Sequence, residues 1–171
     1  MKKVKEKSVF MISINEVEKY INNSYVILDL KSETKEEAIS EMLIYSESNG
    51  LRINISKIIE SIYKKEDIIS SGLGYGVAFP HVRTSQVKDN DIIFAISKKG
   101  LNYSAIDKKP VHLLTMFLTN KNSNEKYLAL LSLFTKISRM SMYPVILLES
   151  KTVEEFKSKF INISKEMLSV K

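Results

Sequence analysis

The sequence predicts a three-layer α/β/α fold, with a central mixed β-sheet of about five strands flanked by helices. Three observations lead there: apolar stripes at helical spacing behind side-chain caps, short β-branched runs interleaved with them, and three strand-like runs in succession joined by short polar connections. A parallel sheet needs a long crossover after every strand, so successive strands with short links imply mixed directions.

The elements follow in order. Ser13, Thr34 and Thr152 each stand three residues before a glutamate and ahead of apolar residues at helical spacing. That pattern sets a hydroxyl acceptor against free amides and returns a carboxylate to the cap, so it marks three helix starts. The first helix carries Ile14, Val17 and Ile21, the second Ala38, Ile39, Met42 and Leu43, and the last Val153, Phe156, Phe160, Ile163 and Met167. Two more are expected through Ile55, Ile58, Ile59 and Ile62, and through Tyr127, Leu130, Leu131, Phe134 and Ile137 after the polar stretch from Asn122 to Glu125. Strands are expected over Tyr25–Leu30, Val77–Phe79, Ile92–Ser97, Val111–Leu118 and Val145–Leu148, where β-branched and large apolar residues concentrate.

With 171 residues and no Pro/Gly/Ser-rich linker, one domain over residues 1–171 is expected, with 1–10 as a poorly ordered N-terminal extension. The net charge of +6 comes from lysines scattered along the chain, and no aromatic–arginine strip is present, so nucleic acid is not an expected partner. The absence of cysteine excludes disulfides, thiol catalysis and cysteine-ligated metal sites. The basic start meets Asn15, Glu16 and Glu18 after a short apolar run, unlike a signal peptide. No segment approaches the ~18 apolar residues of a membrane span, so a cytoplasmic protein is expected.

Chemistry concentrates at Gly72-Leu73-Gly74-Tyr75-Gly76-Val77-Ala78-Phe79-Pro80-His81, which holds three of five glycines, one of three prolines and one of two histidines. Mobile backbone lets a partner approach closely, and Pro80 narrows the geometry before an imidazole at a strand end. His81 is therefore the first candidate for function, with a structural imidazole as the other reading. His112 lies within a strand, on the face of Leu114, Met116 and Leu118, where a hydrogen-bonded structural histidine is the first reading and catalysis the second. The glycine spacing is not Gly-x-Gly-x-x-Gly, and it precedes a strand, which disfavours a nucleotide site. No His-Glu-x-x-His pair supports a metal. Ser61-Ile62-Tyr63-Lys64 lacks the Lys-Thr-Gly motif that would accompany it. Lys64-Lys65-Glu66-Asp67 reads locally as a solvated helix terminus.

The stretch from Lys65 through His81 resembles the active-site segment of the fructose/mannitol-type (type 2) EIIA proteins of the bacterial phosphoenolpyruvate-dependent sugar phosphotransferase system. Gly100-Leu101-Asn102-Tyr103, with Asp107 and Pro110-Val111-His112-Leu113-Leu114, resembles that family's second signature, and Asn124 to Leu131 its following helix. The resemblance implies that His81 accepts a phosphoryl group from phospho-HPr and passes it to a IIB domain for sugar uptake, and that His112 orients or stabilises that group. Lys65 stands where the family usually has arginine. It keeps the charge but lacks a two-pronged hydrogen-bond fork, so Arg83 enters as a candidate helper. No metal or cofactor is implied, and membrane contact is expected only through IIB and IIC. The alternative is a regulatory, nitrogen-type IIA protein whose phosphorylation state controls binding to other proteins.

Overall fold

The computed structural model describes residues 11–169; the expected extension over residues 1–10 lies outside them. The described residues form α1 (Ile14–Asn22), β1 (Tyr25–Ile27), α2 (Lys35–Ser48), α3 (Ile55–Glu66), β2 (Gly72–Gly74), β3 (Val77–Ala78), β4 (His81–Thr84), β5 (Asn90–Leu101), β6 (Val111–Asn120), α4 (Asn124–Arg139), α5 (Met142–Leu148) and α6 (Val153–Ser169). The strands make one open sheet in the order β1-β5-β6-β3-β2, with β4 also paired to β6. β5 and β6 run antiparallel at its centre; β1 joins β5 in parallel, β3 and β4 both join β6 in parallel, and β2 closes antiparallel on β3. The sheet is mixed, as expected, and has six strands where about five were predicted.

Alternation along the two long strands sorts the core into two layers. Ile93 and Ala95 of β5 and Leu114, Met116 and Leu118 of β6 face Ile39, Met42 and Leu43 of α2 and Ile58 and Ile62 of α3. Ile92, Phe94, Ile96, Leu113 and Phe117 face the other way, against α1, α4, α5 and α6. That second layer is aromatic: Phe94 lies 5.0 Å from Phe156 and 5.1 Å from Phe160, and Phe117 lies 5.4 Å from Phe134, ring centre to ring centre. Both caps read at Ser13 and Thr34 form reciprocal capping boxes, and Thr152 accepts from the amide of Glu155 at 3.1 Å.

The structure departs from the expectations in three places. Val145–Leu148 is not a strand but part of α5, with Pro144 in its first turn, where a missing amide costs no helical hydrogen bond. A four-residue apolar run has no period that could tell the two apart. Strand β1 stops at Ile27, although the amide of Leu30 still bonds Ile96 at 2.8 Å. And β2 and β4 were not foreseen, so His81 opens a strand instead of ending one. Among the described residues no helix is long and apolar enough to cross a membrane.

Candidate functional site

Pro80 shapes the surroundings of His81. It has no amide to donate, so the line of chain beside β6 breaks between β3 and β4. On the near side of the break the amide of Phe79 bonds the carbonyl of Ser71 at 3.0 Å, and on the far side Pro80 accepts from the amide of Phe117 at 2.9 Å. The Phe79 carbonyl then receives Nδ1 of His81 at 3.2 Å. A carbonyl oxygen only accepts, so Nδ1 carries the proton and Nε2 of the neutral ring keeps its lone pair. Tyr127, buried in the first turn of α4, stacks along the imidazole with ring centres 5.9 Å apart and planes 29° apart.

Two cations bear on this ring. Arg83 is two residues further along β4 and so shares its face with His81. Its guanidinium donates to Oδ1 of Asn124, the first residue of α4. Lys65 extends from the last turn of α3, where a positive charge also complements the helix dipole. Burial is the main cause holding the imidazole below its ordinary pKa; the Phe79 hydrogen bond and Glu66 oppose that, and the charges of Lys65 and Arg83 add to it. Lys65 is itself lowered, by burial first and by Arg83 second. The site thus presents a neutral imidazole with one free nitrogen and two cations whose influence converges on it.

Glu66 corrects the reading of this segment as a solvated helix end. Its side chain is only 4% exposed, with Lys35 Nζ at 3.8 Å. It accepts from the Ser71 amide at 3.2 Å and from the Ser71 hydroxyl, and the Tyr103 hydroxyl donates to it at 3.4 Å. A continuous run of hydrogen bonds therefore links Glu66 to Ser71, Ser71 to Phe79, and Phe79 to the His81 ring.

His112 is elsewhere. His81 is in register with Phe117, whereas His112 lies five residues earlier on β6, beside the Leu113 that pairs with Val77. At about 3.3 Å per residue this separates the two histidines by roughly 16 Å along the strand. The structure does not bring His112 to the imidazole it was expected to assist. Its Nδ1 instead bonds the carbonyl of Ser97 at 3.0 Å. The residues that do surround His81 and were given no role from sequence are Tyr127, Asn124 and Glu66. Only Glu66 had a local signal, an acid at a helix C-terminus against the dipole. Among the described residues no group of three or more His, Cys, Asp or Glu side chains gathers as a metal site.

Comparison with known proteins bears on this arrangement. The profile described as "Phosphoenolpyruvate-dependent sugar phosphotransferase system, EIIA 2" matches residues 19–161. The chain is 33% identical over 105 residues to the PTS system fructose-specific EIIABC component of Bacillus subtilis, a match covering 61% of this chain and 16% of that protein. In fold it is similar to the nitrogen regulatory protein IIA-Ntr from Neisseria meningitidis, with a TM-score of 0.73 and 23% identity over 84% of this chain and 98% of the other. It is also similar to enzyme IIA of a mannitol IIA–phosphorylated IIB complex from Escherichia coli, with a TM-score of 0.64 and 16% identity over 82% and 94% of the two chains. The chain belongs to the EIIA 2 family of the phosphoenolpyruvate-dependent sugar phosphotransferase system.

Proposed function

We propose that this chain is a single-domain phosphohistidine relay of the cytoplasm, accepting a phosphoryl group from phospho-HPr on Nε2 of His81 and handing it to a IIB protein. The observation that carries this reading is the hydrogen bond from His81 Nδ1 to the Phe79 carbonyl. It leaves Nε2 unprotonated beneath the influence of Lys65 and Arg83.

In the transfer, the bond from phosphorus to the donor's histidine nitrogen breaks as the bond to Nε2 forms, and the proton on Nδ1 stays where it is. Phosphoryl transfer asks mainly for positioning and for stabilisation of negative charge spread over three oxygens. The charges that disfavour an imidazolium favour a phosphorylated imidazole, so Lys65 and Arg83 serve both states of the cycle. Arg83 supplies the planar fork that Lys65 lacks, and Asn124 fixes one of its nitrogens. Stacking on Tyr127 holds the ring plane. A IIB recipient is supported by the likeness to a IIA solved together with phosphorylated IIB.

The test is incubation with phosphoenolpyruvate, enzyme I and HPr, followed by intact-mass measurement. Wild type gains one phosphate and His81→Ala gains none; retention of the gain by the variant would overturn the assignment.

A second reading rests on the likeness to nitrogen regulatory proteins: phosphorylation of His81 switches binding to other proteins, with no onward transfer to IIB. Phosphorylated chain mixed with IIB separates the two, since a relay loses its phosphate to IIB and a regulator keeps it.

A further inference from the structure

A cleft of about 640 Å³ opens toward the start of β6, between the β2–β3 turn and the loop preceding β6. Leu73, Tyr75, Ile106, Lys109, Pro110 and His112 line it. Its walls are set by hydrogen bonds from main-chain amides. The Asp107 carboxylate accepts from the amides of Tyr75 at 3.1 Å and Lys109 at 3.0 Å, and the Gly76 carbonyl accepts from the amides of His112 at 2.8 Å and Leu113 at 3.1 Å.

The apolar side chains at its mouth contribute nothing to that framework. Ile106 is 82% exposed, Tyr75 61% and Leu73 39%, and none of the three is among the buried residues of either core layer. Tyr75 and Lys108 are held in the left-handed region, with φ of 57° and 59°, a conformation unfavourable for any residue with a Cβ. Large apolar groups kept in water on a strained, pinned frame mark a contact surface. Charge narrows the occupant. The ammonium groups of Lys108 and Lys109 are exposed and, among the described residues, form no ion pair with a carboxylate, whereas those of Lys98 and Lys99 nearby are paired with Asp29 and Glu33. His112, anchored through Nδ1 to Ser97, keeps Nε2 as an acceptor beside Gly100.

We propose that this cleft docks an acidic protein segment bearing one large apolar side chain. The apolar group inserts between Tyr75, Ile106 and Pro110, carboxylates lie against Lys108 and Lys109, and a donor of the segment meets Nε2 of His112. The surface lies roughly 16 Å along β6 from His81, so a partner held here leaves the imidazole open. The inference does not depend on the reading of His81.

The test uses the full chain, labelled with nitrogen-15, titrated with the capped peptide Asp-Asp-Phe-Asp-Asp. Expected are amide shifts centred on Gly74, Gly76, Ile106 and His112, affinity that falls as salt rises, and about tenfold weaker binding by Ile106→Ser and by Lys109→Glu. Unchanged signals far from the cleft show that each exposed-site variant is folded. Three results would each overturn the proposal: shifts centred on Lys65, Arg83 and His81; equal binding of Asp-Asp-Ala-Asp-Asp; or no shifts at millimolar peptide.

Discussion

His81 is kept neutral chiefly by burial, and Lys65 and Arg83 add to that from the charged side. The sign of the consequence is fixed. Above the ordinary histidine value of about 6.5 the ring is neutral both folded and unfolded, and it contributes nothing to the pH dependence of stability. As the pH falls through that value the unfolded chain takes up its proton first, so stability drops on the acid side. Replacing Lys65 by Gln removes one opposing charge. The His81 titration, followed by the NMR signal of its ring carbon proton, should move upward, and phosphoryl acceptance should slow about tenfold, equivalent to ~1.4 kcal/mol. An unmoved titration would remove Lys65 from the site. His81 was legible in the sequence because glycine and proline frame it; which ring nitrogen is left free was not, since that depends on a carbonyl freed by a break in the strand. Neither was the position of His112, because the register of β6 against β3 and β4 leaves no mark in local spacing.

At the scale of elements, α3 ends on an anion buried against the negative end of its own helix, an arrangement that propensity disfavours. Glu66 is held there by Ser71, Tyr103 and Lys35, and it ties the α3–β2 connection to the backbone that fixes His81. Glu66→Gln retains an acceptor for Ser71 but loses the ion pair, and should cost about 1 kcal/mol; Glu66→Ala leaves Ser71 and Tyr103 without their partner and should cost about 3 kcal/mol. Chemical denaturation measures both, and equal stability of the two variants would contradict the network. Helices with caps and long strands were readable because their signals are local and repeated. Strands β2 and β4, three and four residues long, exist only through their neighbours, and the apolar run in α5 was too short to show a period.

Across the whole molecule, β6 organises two separate surfaces. Near Phe117 it meets β4, and there α3 and α4 bring Lys65, Asn124 and Tyr127 around His81 and Arg83. At its start it meets β3, and there His112 lines the cleft beside the β2–β3 turn. The fold class was readable because capped apolar stripes at helical spacing are interleaved with short β-branched runs; the sorting of β5 and β6 into an aliphatic and an aromatic layer was not, since both strands are buried on both faces and read as nearly continuous apolar runs. The separation of the two histidines follows only from the parallel pairing of β6 with a broken neighbour. The most direct test is NMR of the phosphorylated chain labelled with nitrogen-15, read through phosphorus coupling to the ring nitrogens. The phosphate should sit on Nε2 of His81, and His112→Ala should be phosphorylated at the wild-type rate within about twofold, less than 0.5 kcal/mol. Phosphate on Nδ1 of His81, or on His112, would contradict the account.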